Sequence, residues 1–160
     1  MSISPVATAQ QTARILFVDD DPNILAAAKS LLTALGNQVT TAQTRAKALA
    51  QLDAGSYDLL MTDLTMPDGS GWDLVKQSRA RFPAKPVVLV TGWGLTLDAE
   101  QMGMVNGVLA KPFTLDELQR ALGNLKNAKM ICVIGRVMLE FPLSVGYGAI
   151  GSTTDSGSVD

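Results

Sequence analysis

The chain has 160 residues, 47% hydrophobic and 18% charged, with a formal net charge of −2, one Cys and no His. That length suits one domain with a short appendage, and the scattered basic residues give no electrostatic reason to expect DNA binding or an anionic membrane. The lone Cys132 excludes an internal disulfide framework and is expected to be an inert buried thiol; the lack of His excludes His-ligated metals, a Ser-His-Asp triad and a phosphohistidine.

Residues 1–12 are polar, rich in Ala, Thr and Gln, and lack the apolar core of a signal peptide; they read as a flexible leader. No apolar run reaches the ~20 residues that a membrane helix needs, so a cytoplasmic location is expected. Ile15-Leu16-Phe17-Val18 reads as a buried strand, and it ends in Asp19-Asp20-Asp21. Two carboxylates ~4 Å apart repel by about 4 kcal/mol at an effective dielectric near 20. A fold keeps such a cluster only if a hard cation, a Lys or a shared proton offsets the repulsion. Pro22 suits a first helical turn, Ile24, Leu25, Ala28, Leu31, Leu32 and Leu35 follow at helical spacing, and Gly36 ends the helix. Asp21 reads as an exposed first-turn acid, favourable at a helix N-terminus.

Val39–Ala42 is a short second strand, and Ala46, Leu49 and Leu52 mark a second helix ending near Gly55. Leu59-Leu60-Met61 forms a third strand that ends in Thr62-Asp63. Met66-Pro67-Asp68-Gly69 is a turn by composition, and Ser70-x-x-Asp73 predicts a capping box for the helix carrying Trp72, Leu74 and Val75. Pro83 closes that helix, with Trp72 and Phe82 in or near the core. A fourth strand, Val87-Val88-Leu89-Val90, ends in Thr91-Gly92. The stretch 92–106 is irregular, with one weak helix near 98–104. Val108-Leu109-Ala110 ends the fifth strand in Lys111-Pro112-Phe113, and Thr114-x-x-Glu117 predicts a capping box for a last helix.

Alternating apolar strands and amphipathic helices predict an α/β domain with a parallel sheet covered on both faces. The strand ends of such a sheet share one edge, where ligands bind. Asp19, Asp20, Asp63, Thr91 and Lys111 would then converge on one crevice. Residues 128–160 break the pattern: 130–141 is mostly apolar and predicts a strand, or a hairpin turning at Gly135-Arg136. Gly146-Tyr147-Gly148-Ala149-Ile150-Gly151 matches GxGxxG with no helix behind it, so a flexible end is the better reading.

The set resembles the receiver domain of bacterial two-component response regulators. The resemblance is carried by Asp19-Asp20, by Asp63-Leu64-x-Met66-Pro67-x-Gly69-x-Gly71, by Thr91, and by Lys111-Pro112-Phe113. It implies a doubly wound, flavodoxin-like (βα)5 sheet of order 2-1-3-4-5 over residues 13–127, followed by a short irregular or β C-terminal extension, 128–160, without a recognisable output domain. It implies that Asp63 accepts a phosphoryl group from a histidine kinase or a histidine phosphotransfer protein. Mg²⁺ would be held by Asp19, Asp20, Asp63 and the backbone carbonyl of Thr65. Lys111 and the Thr91 hydroxyl would contact phosphoryl oxygens, the Lys111-Pro112 bond would be cis, and homodimerisation is a possible output. Such a module catalyses only its own phosphorylation and dephosphorylation. The chain is read as a stand-alone regulator or as the receiver of a hybrid sensor kinase; an unphosphorylated scaffold is a third reading.

This chain departs from the family pattern in three places. Val108 stands where the family often has an aromatic residue, the Thr91-to-Lys111 interval is short, which predicts a truncated fourth helix, and Trp93 sits where its ring would shield an acyl phosphate from water. A competing resemblance, to aspartyl phosphatases of the haloacid dehalogenase type, rests on Asp19-x-Asp21 alone, with Asp19 as nucleophile and Asp21 as acid. Pro22-Asn23 follows where that family has Gly-Thr, and its later paired acids are missing.

Overall fold

The computed structural model describes residues 12–92, 96–126, 129–134 and 137–142; for Asn124 and everything from residue 126 onward, only the backbone is described. Expectations for residues 1–11, Trp93, the 135–136 turn, the GxGxxG stretch and the Cys132 thiol lie outside the described residues.

Strand β1 (Arg14–Val18) is buried from Ile15 onward, as a central strand must be. Helix α1 (Pro22–Ala34) starts with Pro at its first position. Asp21 is its N-cap rather than a first-turn residue: the carboxylate accepts from the Asn23 N–H at 2.8 Å. The helix buries Leu25, Ala28 and Leu32, and Gly36 then turns the chain at φ 88°. Strand β2 (Gln38–Ala42) lies at the sheet edge, and α2 (Arg45–Ala54) runs from a Thr44 cap to Gly55 at φ 66°. Strand β3 (Leu59–Thr62) is wholly buried.

Beyond β3 the expected turn is a small hairpin, β4 (Thr65–Met66) against β5 (Gly69–Ser70). Helix α3 (Gly71–Arg81) follows, capped by Ser70, whose hydroxyl accepts from Trp72 N–H at 3.2 Å. The Asp73 half of the expected capping box is not formed, because that carboxylate pairs with Arg45 at 3.1 Å. Strand β6 (Val87–Thr91) leads to α4 (Ala99–Met104), only 6 residues long, opened by a full capping box between Asp98 and Gln101 and burying no residue completely. Strand β7 (Gly107–Ala110) precedes α5 (Leu115–Lys126). Thr114 and Glu117 form the expected box, Thr114 N–H to Glu117 Oε2 at 2.7 Å and Glu117 N–H to Thr114 Oγ1 at 3.3 Å.

The sheet order is β2-β1-β3-β6-β7, all parallel, which is 2-1-3-4-5 counted over the first five strands of that sheet. Strand β8 (Lys129–Ile134) adds to β7 in parallel and β9 (Val137–Pro142) to β8 antiparallel, so a hairpin extends the sheet. Successive strand residues point to opposite faces and feed two cores. Leu16, Val18, Leu60 and Leu89 pack with residues of α2 and α3; Ile15, Phe17, Met61, Val88 and Leu109 pack with α1 and α5. Truncating a fully buried Leu such as Leu60 or Leu89 costs about 2–5 kcal/mol. Among the described residues no helix is long and apolar enough to cross a membrane.

Candidate functional site

The ends of β1, β3, β6 and β7 lie side by side at one sheet edge because parallel strands all finish there. The ladder continues one residue past each acidic strand: Asp19 N–H donates to Ala42 O at 3.2 Å, and Asp63 N–H donates to Val18 O at 2.9 Å. These two bonds fix where the carboxylates start. Asp19 is fully buried, Asp63 is 6% exposed, and Asp20 is half-buried beside them.

One oxygen from each of Asp19, Asp20 and Asp63 falls within a cluster 4.8 Å across. Lys111 reaches into it from the end of β7: its Nζ lies 2.7 Å from Asp19 Oδ2 and 3.3 Å from Asp63 Oδ2. The other Asp19 oxygen accepts from Asp21 N–H at 2.9 Å, and Asp63 Oδ1 accepts from Thr65 N–H at 3.4 Å. The Lys111 N–H donates to Thr91 O at 2.8 Å, which ties the two remaining strand ends together, and the Lys111-Pro112 peptide is cis. Thr91 is half-buried and Thr65 exposed.

The loop after Asp63 is drawn tight. Thr62 Oγ1 donates to Asp63 O at 2.8 Å, and Gly71 N–H donates to Leu64 O at 2.9 Å. A Cβ on residue 71 would stand 1.9 Å from Asp63 O, so only glycine lets α3 start this close to the acid. The Thr62 bond was not foreseen from the sequence, where a hydroxyl before an acid has no periodic signature.

Burial pushes the Asp63 carboxyl above the usual carboxylate range, and Lys111 opposes that shift while the Asp19 charge adds to it. Lys111 is held above the ordinary lysine value: burial pulls it down, but its hydrogen bond to Asp19 and the charges of Asp63 and Asp19 outweigh burial. Three carboxylates face one ammonium, which leaves a negative balance. Clustered oxygen ligands with excess negative charge fit a hard divalent cation.

Asp21 is outside this cluster, its side chain spent on capping α1. The Asp19/Asp21 pairing of a dehalogenase-type phosphatase is therefore not assembled.

A family profile described as "Response regulator receiver domain" matches residues 15–123. The chain belongs to the response regulator receiver domain family. The receiver is 35% identical over 107 residues to the transcriptional regulatory protein TcrA of Mycobacterium tuberculosis, covering 66% of this chain and 42% of that protein; the match thus spans less than half of that relative. It is 35% identical over 125 residues to the chemotaxis protein CheY-3 of Vibrio cholerae, covering 74% of this chain and 95% of that one. Among solved structures it resembles response regulator TrrA of Thermotoga maritima in complex with Mg²⁺ and BeF (TM-score 0.66, 30% identity, 71% of this chain and 99% of that chain). It also resembles a complex of TrrA with the histidine kinase ThkA (TM-score 0.64, 30% identity, 71% and 98%). The parallel sheet of this receiver is the flavodoxin-like fold of those CheY-like proteins, and the domain is a phosphoacceptor signalling module of two-component systems. The profile match ends before β8, so the hairpin lies beyond it.

Proposed function

We propose that Asp63 is the phosphoacceptor. The observation that carries this is the Lys111 ammonium bridging Asp63 and Asp19 beside the three-acid cluster. An Asp63 oxygen forms the new P–O bond while the donor's P–N bond breaks for a phosphohistidine, or its P–O bond for an acyl phosphate. The leaving imidazole or carboxylate keeps the electron pair. The ionised carboxylate needs no base to attack, so the work of the site is positioning and charge neutralisation.

Asp19, Asp20, Asp63 and the Thr65 carbonyl would hold Mg²⁺, which supplies charge neutralisation at the phosphoryl oxygens. The Mg²⁺–BeF complex of TrrA supports that ion. Lys111 gives up part of its contact with Asp63 to pair with one phosphoryl oxygen, and the Thr91 hydroxyl donates to another. An aromatic relay from Thr91 has no counterpart here: Val108 is buried in the core on the α2/α3 face.

The TrrA–ThkA complex supports a histidine kinase as donor partner; a phosphotransfer protein presents the same phosphohistidine chemistry. The phosphoryl-accepting unit is residues 13–127 in the cytoplasm, turns over no substrate but itself, and signals through altered partner binding or self-association. Residues 128–160 are an appendage to it. Its negative net charge gives no basis for DNA contact.

The test is incubation of the full chain with Mg²⁺ and a small acyl phosphate, read by intact mass and peptide mapping. One phosphoryl group on Asp63, lost in Asp63→Asn and on chelating Mg²⁺, is the expected result. A label that survives Asp63→Asn would sink the assignment.

A further inference from the structure

We propose that Arg45 is a positioning residue for the metal end of the site, an inference that rests on the phosphoacceptor reading above. Arg45 opens α2 and holds the segment that follows Asp63 at three points. Its backbone N–H donates to Asp68 Oδ2 at 2.7 Å, at the tip of the turn between β4 and β5. Its aliphatic stem lies over Gly69: a Cβ there would stand 2.7 Å from Arg45 Cδ, and Gly69 has φ 144°, which favours glycine in any case. Its Nη2 pairs with Asp73 Oδ2 at 3.1 Å in the first turn of α3.

The guanidinium Nε is buried without a hydrogen-bond partner. A surface arginine free to choose its conformation would keep that donor in water, so packing on the glycine notch and the pull of Asp73 govern its place. Asp73 is thereby diverted from the Ser70 cap.

The β4–β5 ladder carries this hold to the site. Thr65 pairs with Ser70 and Met66 with Gly69, so the strand that Arg45 covers is the one against which Thr65 is set. Thr65 in turn donates its N–H to Asp63 Oδ1. The chain of contact runs from Arg45 through Gly69 and Ser70 to Thr65 and Asp63. Loosening its first link leaves the buried acids in place and frees the one proposed metal ligand that sits on an exposed residue of the small hairpin.

The experiment is calorimetric titration of the full chain with Mg²⁺ for wild type, Arg45→Ala, Arg45→Lys and Asp73→Asn, with thermal melts in chelator alongside. Arg45→Ala is expected to weaken Mg²⁺ binding about tenfold. Its phosphorylation by an acyl phosphate slows at low Mg²⁺ and recovers at saturating Mg²⁺. Arg45→Lys, which keeps a stem and a charge, restores most of the affinity, and Asp73→Asn shifts it in the same direction as Arg45→Ala. An Arg45→Ala protein that binds Mg²⁺ as wild type does overturns the role, as does a loss that Arg45→Lys fails to repair and that tracks a lowered melting temperature. Absence of Mg²⁺ binding in the wild type would instead overturn the phosphoacceptor reading, and this inference with it.

Discussion

Two half-buried cations stand at opposite ends of the parallel sheet, Lys111 at the strand C-termini and Arg79 at the N-termini. Lys111 faces carboxylates, Asp19 at 2.7 Å and Asp63 at 3.3 Å. Each partner Arg79 contacts is uncharged: Nε donates to Met104 O at 2.7 Å, Nη1 to Pro83 O at 3.0 Å and Lys85 O at 3.2 Å, and Nη2 to the Asn106 side-chain oxygen. Burial pulls Arg79 below the ordinary arginine value, whereas Lys111 is raised by its acids. All three nitrogens at the Arg79 end are hydrogen-bonded, and they join α3, the loop before β6 and the end of α4. The Lys111 end carries more negative charge than its one cation neutralises. One is a staple for the fold; the other is a site with excess negative charge.

That contrast breaks most sharply at Arg79. Arg79→Ala is expected to cost about 2–3 kcal/mol in denaturant unfolding, because several carbonyls lose a charged donor at once. Its Mg²⁺ affinity should stay at the wild-type value; a shifted affinity would mean that the two ends are coupled. Arg79→Lys restores only part of the stability, since one ammonium cannot replace the guanidinium fork.

Asp63→Asn acts with the opposite sign. The folded pKa of Asp63 is raised, so its contribution favours folding below the unfolded value near ~3.9 and is lost as pH rises through the folded value. Above the folded value and without Mg²⁺ the ionised acid is a burden, and Asp63→Asn should raise the melting temperature. The gain should vanish in acid, where the wild-type carboxyl is protonated. For the wild type, Mg²⁺ at ten times its dissociation constant should itself add about 1.4 kcal/mol. A destabilised Asp63→Asn at neutral pH would show that Lys111 already balances the site.

The smallest effect belongs to the surface. Arg81 and Asp53 join the last turns of α3 and α2 with side chains 46% and 55% exposed. A double-mutant cycle with Arg81→Ala and Asp53→Ala should give a coupling of about 0.5 kcal/mol, reduced by salt. A coupling of about 2 kcal/mol would mean that this exposed pair matters as much as a half-buried cation.

Much of this molecule was legible in one dimension. Apolar runs, caps at Thr114 and Gly55, and polar residues closing four strands are local signals, and the rule that parallel strands finish on one edge turns them into a site. Asp19, Asp20, Asp63 and Lys111 meet for that reason, and Thr91 lies on the neighbouring strand end. The short interval before Lys111 foretold the 6-residue α4. The sequence left the segment around 130–141 open between one strand and a hairpin, because which edge a strand joins depends on partners far along the chain.

Tertiary structure alone decided the rest. Ser70 and Asp73 have capping-box spacing, yet Arg45, remote in sequence, competes for Asp73 and wins. Asp21 caps a helix while Asp19 and Asp20 face the site, since the chain leaves β1 there and turns into α1. Arg79 binds carbonyl and amide oxygens up to 27 residues away, and such acceptors occur at every position, so no residue pattern announces them. Periodicity and strand ends are written in neighbouring residues; the choice among equally suitable partners exists only once the chain has packed.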